Sequence, residues 1–272
     1  MFLRGFSLLL AALGPLAIQA QVQPRQQDEC ELDRFQVCLV HILQDERDIV
    51  TSPARVRPSD LLWIAPFGLA AGVAIDYDAH ALRSLGDHPQ READFRHVSD
   101  AGVYAPIAGI VAGYAAGAVR HDDYLKQTSV IAGEAVADSL ILNEGLRYAI
   151  NRQTPMQGDG TGRFWPHGTK TWPDGQSMPS NHAIIAWSFA HVVAARYPGW
   201  GTWLAVYGLA TTVSVSRVLA REHFPSDVLV GSTLGYLIGG YVVYKRGEPS
   251  YSFSMVDTPN GRGVQLSYNF SH

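Results

Sequence analysis

From Asp60 to Arg246 the chain repeats one pattern: an apolar, Ala- and Gly-rich stretch, then a charged or proline-containing connection. The stretches fall at about 61–79, 98–119, 127–151, 182–196, 200–220 and 226–245. Their length and helical spacing predict six helices packed as an all-α bundle. Before them, Leu32, Phe35, Leu39, Ile42 and Leu43 recur at helical spacing, so Glu31 to Val50 reads as an amphipathic helix in an otherwise polar segment, 21–57. After them the period changes. Tyr251, Phe253 and Met255 alternate with polar residues, as do Val264, Leu266, Tyr268 and Phe270, around a Pro259-Asn260-Gly261 turn. Residues 250–272 are therefore expected to form a short C-terminal β-hairpin on the bundle.

The first twenty residues follow another rule. Arg4 precedes an apolar run from Phe6 to Leu13, Gly14-Pro15 breaks it, and Ala17-Ile18-Gln19-Ala20 puts a small residue where a signal peptidase would cut. That is the pattern of a secretory signal, and the run is shorter than the ~20 residues a membrane span needs. The rest of the chain, with its bundle at 58–246, is expected outside the cytosol, periplasmic or membrane-associated. The spans 101–119 and 228–244 are uncharged and rich in small residues, which suits either a membrane crossing or the buried centre of a soluble bundle. Cys30 and Cys38 are eight apart. On one continuous helix that is about 12 Å of rise, too far for a disulfide, so a bridge requires a non-helical stretch.

Composition narrows the function. Of 272 residues, 47% are hydrophobic and 17% charged, against a usual charged share of about 25%. The 21 Lys and Arg against 25 Asp and Glu leave a net charge of −4. No basic surplus suits nucleic acid, and no protein partner is evident.

Two motifs carry chemistry. In Ser216 to Asp227, Ser, Arg, His and Asp are spaced S-R-x5-H-x3-D. Pro225 suits the first turn of a helix, and His223 and Asp227, four apart, share a face there. A carboxylate on the imidazole Nδ1–H leaves Nε2 as a lone-pair nucleophile, and Arg217 can fork onto phosphate oxygens. A structural His–Asp contact beside a solvated Arg would fit the same spacing. The second motif, Met178-Pro179-Ser180-Asn181-His182-Ala183, looks like a capped helix start. The first-turn amides of such a helix bind anions, with His182 placed to donate a proton. A plain capped helix is the simpler reading of that motif alone.

Together the motifs resemble the type 2 phosphatidic acid phosphatase superfamily, which includes class A acid phosphatases and vanadium haloperoxidases. Its pattern is K-x6-R-P, then P-S-G-H, then S-R-x5-H-x3-D. Here the third block is complete. The second is Pro179-Ser180-Asn181-His182, with Asn for Gly. The first falls on Arg147 to Pro155, with Arg147 at the Lys and Thr154 at the Arg. The resemblance implies a hydrolase for a phosphomonoester or lipid phosphate that needs no metal and no cofactor. It makes His223 the nucleophile, Asp227 its orienting partner and His182 the acid. It assigns phosphate binding to Arg217, Ser180, the Asn181 amide and Arg147. Thr154 removes a guanidinium, which Arg152 or Arg163 could replace; Arg152 is the expected donor. A vanadate-dependent haloperoxidase and a catalytically weakened envelope protein are the alternatives.

Asp76, Asp78 and His80 resemble hard-metal ligands but fit a solvated loop end better. His88, His97 and His121 lie in charged connections and suit the surface. Glu134 and Asp138, four apart on an apolar helix, are expected to be a buried pair steadying Arg147.

Overall fold

Prolines, caps and left-handed residues divide the chain into helices. In the computed structural model the described residues are Cys30, 34–168 and 176–246, with the backbone of 251–258 and 261–268. The signal-like segment 1–20 lies outside them. α1 is Phe35–Thr51, and single 3-10 turns follow at Ser52–Arg55 and Pro58–Asp60. Then come α2 (Leu61–Leu85), α3 (Pro89–Arg120), α4 (Asp123–Ile150), α5 (Asn181–Arg196), α6 (Trp200–Leu219) and α7 (Pro225–Arg246). Six helices match the six apolar stretches, and α1 matches the amphipathic segment.

α3 begins well before residue 98, because Pro89 supplies a ready first turn. Its charged opening, with Arg91, Glu92 and Arg96, hid the apolar period there. His121 and Asn151, at φ 56° and 42°, end α3 and α4 in the left-handed conformation.

The six long helices run alternately up and down. Asp78 on α2, Asn143 and Arg147 on α4, and Arg217 on α6 lie toward one end. The starts of α3, α5 and α7 meet them there. α5 is central and packs on α3, α4, α6 and α7. Ile131, Ala135, Ile184, Val192, Val213, Ile238 and Val242 form the core around it. The α5–α7 contact is close enough to exclude side chains: a Cβ on Gly231, Gly235 or Gly239 would sit 2.8, 2.3 or 2.6 Å from the carbonyl oxygens of Ser180, Ile184 and Ser188. Glycines four apart make one smooth stripe on α7, and α5 lies directly on it.

Outer faces remain apolar. α2 buries only Asp78 and Leu82 and exposes Leu62, Leu69 and Val73. Among the described residues three helical segments are long and apolar enough to cross a membrane: Pro58–Leu85, Pro89–Arg120 and Pro225–Arg246.

At the far end α1 is stapled on. Cys30 and Cys38 form a disulfide with a Cα separation of 4.8 Å, possible because α1 starts only at Phe35. Nearby, Glu134 meets His41 at 3.0 Å and Arg246 at 2.7 Å, and Arg246 also pairs with Asp45. Glu134 and Asp138 are buried as expected, but they do not steady Arg147, which sits three turns further along α4. The expected hairpin needs correction too. Tyr251–Thr258 and Gly261–Tyr268 run antiparallel to each other, but a hairpin as part of the fold is not supported. Two strands alone are marginal without an apolar face to cover.

Candidate functional site

The end of α6 and the start of α7 build the first half of the site. Arg221, at φ 56°, turns the chain out of α6. The amides of Glu222 and His223 both donate to the Arg217 carbonyl, at 3.1 and 3.3 Å. His223 is thereby held close to Arg217, and only 4% of it is exposed. Its Nδ1 lies 2.7 Å from the carbonyl oxygen of Ser177. A carbonyl only accepts, so Nδ1 carries the hydrogen and Nε2 keeps the lone pair.

Asp227 was expected on that Nδ1, but its carboxylate is 3.8 Å away, beyond hydrogen-bond length. It accepts instead from the Phe224 amide at 2.8 Å, Ser177 Oγ at 2.5 Å and Arg152 Nη1 at 2.6 Å. Asp227 reaches His223 through Ser177, whose hydroxyl it holds and whose carbonyl holds the imidazole.

Arg152 is not the phosphate donor expected of it. It is buried, and its three nitrogens are committed: Nε to Gly162 O, Nη1 to Ser226 Oγ and Asp227, Nη2 to Asp78 at 2.7 Å. Phe224 and Phe164 lie 4.3 and 5.0 Å from its guanidinium carbon. Asp78 also accepts from the Ser226 amide at 3.0 Å. The Asp78–Arg152–Asp227 ladder ties α2, the segment after α4, and α7 beneath the site. Asp78 is therefore an ion-pair partner, not a metal ligand. Arg163 is exposed and pairs with Asp159.

The start of α5 supplies the second half. The Ser180 amide donates to the Asp227 carbonyl at 3.1 Å. Ser180 Oγ is buried and has no hydrogen-bond partner among the described residues. Asn181 takes its own side chain out of the way, accepting from Asn143 and donating to Glu144 at 3.4 Å. The first-turn amides here have no partner inside the helix. His182 Nε2 lies 3.0 Å from Asp100 Oδ1. Burial, and then the positive charges of Arg217 and His223, push the His182 pKa down to about 4.

Arg217 is buried, and burial lowers its pKa. Nη1 meets Ser99 Oγ at 3.2 Å and Asp100 at 3.5 Å, and Nη2 meets Glu222 at 3.2 Å. Its Nε has no hydrogen-bond partner among the described residues. Arg147 donates from Nε to the Gln176 carbonyl at 2.9 Å and from Nη1 to Glu144 at 3.0 Å. Its charge is also felt by Arg217. His182, His223, Arg217 and Arg147 thus share one end of the bundle with Ser180 Oγ and Arg217 Nε, buried donors that have no hydrogen-bond partner among the described residues.

The PAP2 superfamily model matches residues 128–249, the stretch that holds all three sequence blocks. A lipid A 1-phosphatase from Porphyromonas gingivalis is 30% identical over 107 residues, which cover 37% of this chain and 23% of that protein. The bacitracin transport permease protein BcrC of Bacillus licheniformis is 32% identical over 82 residues, 29% of this chain and 38% of that protein. The chain thus spans less than half the length of either curated relative in its match. A solved transmembrane PAP2-type phosphatidylglycerolphosphate phosphatase from Bacillus subtilis is 17% identical. It covers 76% of this chain and 93% of its own, with a TM-score of 0.45.

The matched segment supplies Arg147, Ser180, Asn181, His182, Arg217, His223 and Asp227. Asp78, Ser99 and Asp100 come from α2 and α3, before it. Sequence reasoning passed over Ser99, Asp100, Asn143, Ser177 and Glu222. Asp100 carries one usable signal: it is the last charge before the apolar run of α3 begins.

Proposed function

We propose that the chain is a phosphatase that cleaves a phosphomonoester, with a lipid phosphate as the substrate class, through a phosphohistidine on His223. The observation that carries this reading is the pairing of two features. His223 has Nδ1 fixed on a carbonyl, which leaves Nε2 as the nucleophile. Around it stand cations and unpaired buried donors suited to phosphate oxygens.

In the first step Nε2 of His223 attacks phosphorus and the ester P–O bond breaks. The leaving alkoxide takes a proton from His182. The dianionic phosphate beside His182 favours its protonated form, against the burial that keeps it neutral otherwise. In the second step water attacks the phosphohistidine, His182 takes the water proton, and inorganic phosphate leaves. Arg217, Arg147, Ser180 Oγ and the Asn181 amide stabilise the transferring group. Asp227 acts as a positioning residue.

The apolar outer faces of α2 and α3 support a place at a membrane, where a lipid substrate resides. The segment 1–20 and the Cys30–Cys38 bridge support a location outside the cytosol.

The test is hydrolysis of a generic aryl phosphate and of a detergent-dispersed lipid phosphate, with acid-labile phosphate sought on histidine after quenching. Wild type should turn over and label, and His223→Ala should do neither. Phosphate on serine, or undiminished turnover by His223→Ala, would overturn the proposal.

A further inference from the structure

Asp100 bridges His182 and Arg217 at the site end of the bundle. A single oxygen of it, Oδ1, lies 3.0 Å from His182 Nε2 and 3.5 Å from Arg217 Nη1. These are the acid and the guanidinium of the phosphatase reading, on which this inference rests. The other contacts of Arg217 are shorter: Ser99 Oγ and Glu222 Oε2, each at 3.2 Å. Ser99 is fully buried, whereas the Asp100 side chain is 39% exposed. The longest of the three contacts therefore belongs to the most solvent-facing partner, the one most easily exchanged. Glu222 is itself held by Arg96 at 2.6 Å, and among the described residues Asp100 has no cation of its own besides Arg217 and His182.

We propose that Asp100 is an internal occupant of the phosphate pocket, a carboxylate that phosphate must displace from His182 and Arg217 and that returns to expel it. The physics is charge competition at short range. A carboxylate and a phosphate cannot share one Nη1–H and one Nε2–H, and two anions at that spacing repel. A pocket with this many cations and amides would hold inorganic phosphate tightly, and product would block it. A returning carboxylate keeps product affinity low while leaving the cations in place for transfer. The role is distinct from orienting His182: an orienting partner stays put when substrate binds, and its removal weakens chemistry rather than strengthening anion binding.

The experiment compares wild type, Asp100→Asn and Asp100→Ala. Phosphate affinity is measured twice, as competitive inhibition of aryl phosphate hydrolysis and by direct titration of inorganic phosphate in a His223→Ala background. Both substitutions should tighten phosphate at least fivefold and lower KM, with thermal midpoints near wild type because the side chain is partly exposed. Unchanged or weaker phosphate binding, with kcat lowered and KM unmoved, would overturn the proposal and make Asp100 an orienting partner. Absence of phosphate binding in every variant, together with no turnover by wild type, would overturn the phosphatase reading itself. Turnover that depends on His223 alongside indifferent Asp100 variants would remove this inference alone.

Discussion

His223 gives its Nδ1 hydrogen to the carbonyl oxygen of Ser177, 2.7 Å away, while Ser177 gives its hydroxyl hydrogen to Asp227 at 2.5 Å. One residue therefore relays the carboxylate to the imidazole, through both its side chain and its backbone. The two ends of the relay should respond differently to mutation. Ser177→Ala keeps the carbonyl and loses one hydrogen bond to a carboxylate, about 1.5–3 kcal/mol of stability, with most turnover kept. Asp227→Ala strips Arg152 of one of two buried carboxylates, a loss of about 3–5 kcal/mol. Chemical unfolding in detergent measures both. Equal losses would mean that Asp227 matters only through Ser177.

The two arginines near the first block should separate cleanly. Arg147→Ala should raise the phosphate inhibition constant about tenfold, ~1.4 kcal/mol, with little change in unfolding. Arg152→Ala should instead destabilise the fold, and Arg152→Lys should not rescue it, because an ammonium cannot fork between Asp78 and Asp227. A stable Arg152→Ala protein with weakened phosphate binding would return Arg152 to the phosphate site.

Two groups, one partly and one fully buried, give stability opposite pH slopes. Folded His182 has a pKa near 4 against an ordinary 6.5, so between those values the unfolded chain binds more protons. Its contribution is intact above pH 6.5 and declines as pH falls to 4, by about 3 kcal/mol. His182→Gln should flatten that acid slope. Asp138 has both carboxyl oxygens buried without hydrogen-bond partners among the described residues. Burial, with Asp45 and Glu46 adding repulsion, raises its pKa to about 8 from 3.8. The folded chain keeps that proton longer, so stability is lost as pH rises from 3.8 toward 8. Asp138→Asn should therefore stabilise the protein at pH 8 and change little at pH 4. Thermal midpoints at the two pH values decide both cases.

Gly235 sets the distance between the helices that carry the two histidines. A Cβ there would sit 2.3 Å from the Ile184 carbonyl oxygen. Gly235→Ala should cost about 1–3 kcal/mol and lower kcat by separating α5 from α7. Gly208, with nothing within 4 Å of its Cβ position, is the control: Gly208→Ala should be neutral or slightly stabilising.

A site outside the cytosol predicts that Met156→Cys, in the exposed segment after α4, is labelled by an impermeant thiol reagent added to intact spheroplasts. The only native cysteines are joined to each other. The disulfide lies at the opposite end of the helices, with Arg246 some thirty ångströms along α7 by helical rise. Labelling of Asp123→Cys at that far end gives the companion result. If both sites label, the bundle lies wholly outside the cytosol. Protection of Met156→Cys would reverse the proposed orientation.

Much of this protein was legible along the chain because helices are written locally. Apolar stretches at helical spacing marked every long helix, though only some of them ended at a Pro, Gly or Asn. Blocks of fixed spacing marked His182, Arg217 and His223, since a nucleophile loop and a capped helix start are short-range structures. What the chain could not show was which partner each charged group takes. Asp227 was assigned to His223 by a four-residue spacing, but that spacing only places two side chains on one face. The distance was settled by Ser177, about fifty residues earlier, and by Arg152, which needed Asp78 from another helix to bury its charge. Asp100 reaches His182 across 82 residues of sequence. Buried charges choose partners by packing in three dimensions, where desolvation makes each pairing decisive. Tertiary structure alone therefore made Arg152 a strut, Asp78 its anchor and Asp100 the neighbour of the acid.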